Sequence, residues 1–324
     1  MILKVEDIPK FNYSKKISEL SKTIEGYLNS DDSYADKTIE TVLRKTTRIH
    51  SVHSTTAIEG NTLGLLRVKD TIDGKPVEGP FDEIAEVKGA LNAYKLIDKV
   101  DITSIDCFLK IESIMMWGLV EENGFRSGDV VIAEGDSVIY RPPKASDVED
   151  LMARLFEWCS SSGLPGYIAG AIMHYYIEAI HPFRDGNGRM GRFWHSAILR
   201  RQDRRFRMVS IENAILRHQD DYYRVLEECQ ADFDCTGFVE FMMELTASVF
   251  GDVKHILEPK MSALLRAMGD KPMSSAEIMK KMGLKDRAHF QSVYLGPAIG
   301  YGFVAMSDPE HPHSPTQKYR RLVF

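Results

Sequence analysis

Twelve residues in the middle of the chain, His181 to Arg192 (HPFRDGNGRMGR), collect the side chains best suited to act on a phosphate ester. Gly186 and Gly188 break helical geometry and Asn187 tolerates unusual dihedrals, so the segment reads as a tight loop from which a helix resumes at about Gly188. The N–H groups of such a loop and of the new helix converge on one spot, which is an anion site. Arg189 and Arg192, three apart, share a face of that helix, and each can fork onto phosphate oxygens. Asp185 adds a hard oxygen of the kind Mg²⁺ takes beside phosphates. His181 stands at the entrance as the side chain able to accept a proton near neutral pH. The sum is a polyphosphate cradle, a metal ligand and a base. Taken singly, each residue fits a glycine-rich helix-capping loop with surface arginines equally well; the whole constellation favours chemistry.

A second group lies far upstream, in Ser54 to Thr62 (STTAIEGNT). Gly60 has the character of a residue just past a helix C-terminus, which puts Glu59 in the last turn. A carboxylate there opposes the helix dipole by roughly 0.3–1 kcal/mol. Local stability therefore does not explain Glu59, whereas a cationic partner elsewhere would. A solvated glutamate ahead of a turn is the plainer alternative.

The elements that must position these groups are mostly helices. Thr38–Val52 mixes apolar and charged residues at helical spacing, Leu151–Cys159 is amphipathic, and Phe193–Leu199, Tyr222–Glu228 and Phe238–Leu257 read as further helices. Gly166–Ile180 (GYIAGAIMHYYIEAI) is apolar on nearly every side and is expected to be a central buried helix. Asp129–Ile132 and Ser137–Tyr140, short β-branched runs joined by AEGD, predict a small hairpin, ended by Pro142 and Pro143. Beyond Glu258-Pro259, a capped short helix (AEIMKKMG), a second helix over about 286–299, and the runs YGFVAM and KYRRLVF predict two helices followed by a two-stranded ribbon, as in a winged helix-turn-helix. Met115, Met116, Met242 and Met243 read as core, and His174 and His195 as packed or surface histidines.

Composition sets limits. A length of 324 residues suggests two or three domains. A net charge of −6 does not favour bulk polyanion binding, although residues 258–324 carry about +4 against about −10 for the rest. Cys107, Cys159, Cys229 and Cys235 form no Cys-x-x-Cys pair and suit free thiols in a reducing cytosol. The charged N-terminus does not resemble a signal peptide, and no run is long enough to span a membrane, so the expected location is the cytoplasm.

The segment 181–192 resembles the signature of the Fic family, His-Pro-Phe-x-Asp/Glu-Gly-Asn-Gly-Arg-x-x-Arg, at every defined position. The resemblance implies a mainly α fold: a Fic-type helical core with a β-hairpin flap, plus a C-terminal winged helix-turn-helix. It implies an N-terminal helical region over 1–100 with an inhibitory helix at about 48–60, a core over 101–257 with flap 129–141 and loop 181–192, and a tail domain over 258–324. It further implies transfer of AMP from ATP, with Mg²⁺, to a Ser, Thr or Tyr hydroxyl of a target protein. His181 would remove the proton, Asp185 hold the metal on the α- and β-phosphates, and attack on the α-phosphorus expel pyrophosphate. Nucleotide contacts fall on Asp185, Gly186, Asn187, Gly188, Arg189, Met190, Gly191 and Arg192 of the loop, and on Glu59. Val138, Ile139, Tyr140 and Arg141 of the flap, paired tyrosines Tyr222 and Tyr223, and Gln230 are further contacts. Thr55, Glu59 and Gly60 resemble the family's inhibitory motif, whose partner would be Arg192. The flap would register the target by strand addition.

Other readings stay open. Arg287, His289, Lys318, Arg320 and Arg321 suit DNA phosphates, which would make the chain a DNA-binding regulator with a nucleotide-sensing core. An interaction module or a homodimerisation arm is an equal alternative for the tail. The same fold could remove AMP or use another donor; the kinase variant alters the Gly-Asn-Gly part, which is intact here.

Overall fold

Helices follow one another along nearly the whole chain. The computed structural model describes residues 3–29, 37–134, 137–256, 259–269, 271–300, 302–312 and 314–322. They form α1 (Lys15–Leu28), α2 (Lys37–Ala57), α3 (Leu65–Ile72), α4 (Phe81–Tyr94) and α5 (Ile105–Met115). A hairpin of β1 (Ile132–Glu134) and β2 (Ser137–Tyr140) follows, then α6 (Val148–Ser161), α7 (Gly166–Ile180), α8 (Asn187–Gln202), α9 (Ile211–Arg217), α10 (Gln219–Gln230) and α11 (Thr236–Ile256). The tail holds α12 (Pro259–Ala267), α13 (Ser275–Met282), α14 (Arg287–Phe290), α15 (Gly296–Gly300) and an antiparallel ribbon of β3 (Val304–Met306) and β4 (Tyr319–Arg321). The fold is mainly α, as the sequence patterning leads one to expect.

Helix starts are set locally. Ser14, Ser104 and Ser210 each accept a hydrogen bond from the N–H three residues on, and Ser274 with Glu277 completes a capping box.

At the centre, α7 and α8 pack through two reciprocal notches. A Cβ on Gly170 would fall 2.6 Å from the His195 ring, and one on Gly191 would fall 2.6 Å from the His174 ring. Each histidine thus fills the space its partner glycine leaves, and the helix axes approach closely. Both imidazoles are buried, and burial holds them neutral: His195 is pushed down to about 3 and His174 well below the usual range. Nearby, Phe108 packs edge-on against Phe156 and Trp194, and Phe183 of the loop stacks on Phe108 at 5.2 Å between centroids. Burying that ring stabilises the loop's attachment by roughly 1.5–3 kcal/mol.

Four boundaries differ from the expectation. β1 starts at Ile132 rather than Asp129, because Asp129 Oδ1 accepts the Ala145 N–H at 2.8 Å and the chain is diverted before it can pair. The hairpin then carries a bulge between Ile132 and Ala133, and residues 135–136 of its turn lie outside the described residues. α2 runs on to Ala57 and absorbs Thr55, so Glu59 sits in the turn just beyond the helix and Gly60 takes φ +94°. Asp106–Val120 reads in the sequence as one helix, but α5 ends at Met115, since Gly118 reverses the chain at φ +78°. In the tail, a wider π turn over Gln291–Leu295 separates α14 from α15.

The tail is tied to the N-terminal helices. Buried His50 on α2 meets the Gly302 carbonyl at 3.0 Å, and Gly302, at φ +70°, has no room for a side chain against that ring. Arg320 reaches Asp70 of α3 at 3.0 Å.

Candidate active site

The loop after α7 is shaped by its two ends. His181 terminates α7 in the left-handed region (φ 53°, ψ 60°), its N–H capping the Ile177 carbonyl at 3.0 Å. Gly186, at φ 87°, turns the chain into α8. Between them Asn187 works inward: its Oδ1 accepts the Phe183 N–H at 2.8 Å and its Nδ2 donates to the Phe183 carbonyl at 2.9 Å. The side chain expected on phosphate therefore holds the loop closed. The first N–H groups of α8, at Asn187, Gly188 and Arg189, have no carbonyl one turn earlier within the helix and are the donors left for an anion.

His181, Gly186, Asn187, Gly188 and Asp185 line one cleft of about 620 Å³, together with Arg192, Glu59, Glu178 and Arg184. Ile132, Ile139 and Tyr140 of the hairpin close one side; Tyr223, Leu226, Glu227 and Gln230, one face of α10 at helical spacing, form another.

Burial pushes the His181 imidazole down to about 4, the Glu178 carbonyl behind it working against that shift and the Arg126 guanidinium adding to it. It is neutral at pH 7, the form a base requires. Asp185 is half exposed; Oδ1 accepts the Gly186 N–H at 2.6 Å, and both carboxylate oxygens lie 3.0 Å from Arg189 Nη2.

Arg192 is 1% exposed. Its Nε donates to Thr55 Oγ1 (3.1 Å), and its Nη2 donates to the Thr55 carbonyl (3.1 Å) and to Glu59 Oε1 (2.5 Å). Burial disfavours its charge, but Glu59, Tyr222 and Glu178 more than offset that, so its pKa is raised. Glu178, pushed up to about 7 by burial against the pull of Arg192, stands beside the pair. The ends of Glu59, Arg192 and Glu178 all converge over Gly188: a Cβ there would lie 2.6, 2.9 and 3.1 Å from Oε1, Nη1 and Oε1 respectively.

Several expected residues lie outside the cleft. Arg189 is buried against Glu86 (2.8 Å) and Asp185. Met190 is buried, and Gly191 faces His174 of α7. Tyr222 is buried, donating to Glu178 (3.0 Å) and lying 3.1 Å from His174, so only Tyr223 of the pair reaches the cleft, its hydroxyl donating to the Ile58 carbonyl. Val138 is exposed on the hairpin and Arg141 follows it, neither lining the cleft. Thr55 lies behind Arg192, and Gly60 beyond Glu59. In the tail, Arg320 is engaged by Asp70 and Arg321 by the Leu265 carbonyl, while Arg287, His289 and Lys318 are exposed.

Sequence reasoning passed over Glu178, Glu86, Arg126 and Arg184. Glu178 had a signal: it is the single acidic residue in the apolar run of α7. Glu86 and Arg126 had none, because their partners are distant in sequence.

Residues 103–199 match the Fic/DOC family, and residues 259–322 match the C-terminal domain of the filamentation induced by cAMP protein Fic-like family. A solved Fic family protein from Desulfovibrio desulfuricans is 36% identical, the match covering 97% of this chain and 98% of that one at a TM-score of 0.72. A fragment of Fic-1 from C. elegans shares the fold at 21% identity and a TM-score of 0.58, over 73% of this chain and 70% of that chain. The protein adenylyltransferase Fic of Nematostella vectensis is 31% identical over 211 residues, 61% of this chain and 46% of that protein. The chain spans less than half the length of that curated relative.

Proposed function

The chain belongs to the Fic family, and from that premise we propose that it transfers AMP from ATP to a Ser, Thr or Tyr hydroxyl of a protein, itself included, under a brake formed by Glu59. One observation carries the reading: a neutral imidazole, the start of α8 and a buried arginine all open onto one cleft.

In this reading the triphosphate lies along the N-terminus of α8, its oxygens taking the N–H groups of Asn187, Gly188 and Arg189. His181 accepts the proton of the target hydroxyl as it attacks the α-phosphorus, and pyrophosphate leaves. The hairpin edge at Ile139 and Tyr140 presents the target segment. Tyr223, Leu226 and Gln230 face the base and ribose. Phosphoryl chemistry of this kind needs positioning and charge stabilisation above all.

Asp185 suits Mg²⁺. It is a half-exposed hard oxygen donor at the cleft. A single carboxylate completed by substrate oxygens is a common Mg²⁺ arrangement. When bound, the ion neutralises charge on the α- and β-phosphates; Arg189 would then keep Glu86 as its partner.

The brake is the Glu59–Arg192 pair, which occupies the guanidinium a γ-phosphate needs. Residues 1–100 would supply the brake, 101–257 the catalytic core and 258–324 a winged-helix domain. Four free cysteines fit a reducing cytoplasmic setting, and among the described residues no helix is long and apolar enough to cross a membrane.

ATP labelled at the α-phosphorus tests the proposal. Label should reach protein weakly with the parent chain, more strongly with Glu59→Gly, and not at all with His181→Ala. Equal labelling by all three would refute it.

A further inference from the structure

Arg126 lies in the loop between α5 and the hairpin, outside the cleft, and its guanidinium is buried. Its donors all go to carbonyl oxygens. Nε donates to His181 (2.8 Å), Nη1 to Gly128 (3.0 Å), and Nη2 to Pro143 (2.5 Å) and, at the limit of range, Ile180 (3.5 Å). Its own backbone N–H donates to the Pro182 carbonyl at 2.9 Å. The nearest carboxylate, Asp129, is exposed and 4.0 Å away.

These contacts join three parts of the site. The carbonyls of Ile180, His181 and Pro182 carry the chain through the left-handed turn at the end of α7. A non-glycine residue there costs about 1–3 kcal/mol and persists only where its surroundings dictate it. Glycine would adopt the turn freely, but the turn carries an imidazole. The Pro143 carbonyl belongs to the exit of the hairpin, whose Tyr140 hydroxyl also donates to the Ala179 carbonyl of the same helix end at 2.6 Å. A cation at a helix C-terminus is favourable, and a planar five-donor fork meets several carbonyls at once in a way an ammonium does not.

Resting on the AMP-transfer reading, we propose that Arg126 is a positioning residue: it fixes the backbone of His181 and the exit of the hairpin in one frame, and so sets the imidazole at the height of the hydroxyl that the hairpin presents. The nucleotide cradle at the start of α8 makes no bond to Arg126, so the two functions separate in kinetics.

The test uses the full chain in the Glu59→Gly background and compares Arg126→Lys and Arg126→Gln with their parent. The rate of AMP transfer to the chain itself and the KM for ATP are measured alongside an NMR titration of the His181 imidazole in nucleotide-free protein, the resonance assigned by its loss in His181→Ala. Both variants should lose roughly 10–100-fold in the rate constant, the scale of an ångström-level misplacement, with KM for ATP unchanged. The His181 midpoint should rise in Arg126→Gln, which removes a neighbouring positive charge, and stay in place in Arg126→Lys. Parent-like rates with an unmoved midpoint, or a loss confined to KM, overturn the proposal. A merely structural residue would lower the melting temperature and leave the midpoint where it was. Should Arg126→Gln fail to fold, the rate of Arg126→Lys decides. If the Glu59→Gly parent transfers no AMP, the reaction itself is wrong, while the titration still reports whether Arg126 governs His181.

Discussion

Glu59→Gln removes a charge from the pair with Arg192 and keeps the shape of the side chain. Breaking a buried ion pair from one side costs about 3–5 kcal/mol where nothing compensates the remaining charge. Two features reduce that here. The Glu59 side chain is 27% exposed, opening onto the cleft, so water reaches the vacated position. Glu178, held near pH 7, stands beside Arg192 and can ionise in response to the lost partner. The two bonds from Arg192 to Thr55 remain. The expected loss is about 1–3 kcal/mol, or about 2–10 °C in melting temperature for a chain of this size. ATP should then act unequally. Saturating nucleotide at 100 times its Kd stabilises any protein by about 2.7 kcal/mol. In the variant, the triphosphate also supplies the missing negative partner; in the parent, it must compete with Glu59. Scanning calorimetry with and without Mg-ATP should therefore show a lower melting temperature for the variant alone and a larger nucleotide-induced rise. Equal melting temperatures with equal nucleotide shifts would refute the claim that Glu59 neutralises Arg192 and blocks the cleft.

Three other outcomes are expected. The acid limb of AMP transfer by Glu59→Gly, read as kcat/KM against pH, should have its midpoint near 4, because falling pH protonates the His181 base only below its lowered pKa; a midpoint at 6.5 contradicts the burial. Gly191→Ala drives a methyl into the His174 ring and should destabilise by about 1–3 kcal/mol in chemical denaturation; an unchanged midpoint would mean the α7–α8 contact is loose. Tyr223→Ala should weaken ATP binding by about tenfold in calorimetric titration, whereas Tyr222→Phe, behind the cleft wall, should leave the affinity as it was.

The loop was legible because its chemistry demands particular residue types at fixed spacing, and because glycines mark both turns. The pairing of Glu59 was legible because a carboxylate at a helix end opposes the dipole and asks for a cationic partner, and Arg192 is that partner. Other features needed the third dimension. Tyr222 and Tyr223 are adjacent, but about 100° apart around α10, and only the positions of Leu226, Glu227 and Gln230 in space show which one faces the cleft. The family resemblance points Asn187 at phosphate, but its two bonds to Phe183 are a closer claim on the same groups. The start of β1 was misplaced because the β-branched run at Val130 and Val131 says nothing of Asp129 being drawn to Ala145. Arg126 sits in a patternless loop, and the carbonyl partners of its side chain lie up to 55 residues away.

The paired notches between α7 and α8 have a consequence for control. His181 hangs from the end of one rod and Arg192 rides on the other, and the rods are keyed together by two rings seated in two gaps. Neither rod can slide without unseating a ring, so the spacing of His181 and Arg192 is held fixed. On the proposed reading, a signal that frees Arg192 has to act on α2 and the turn after it, which bring Thr55 and Glu59 to that guanidinium from outside the keyed pair.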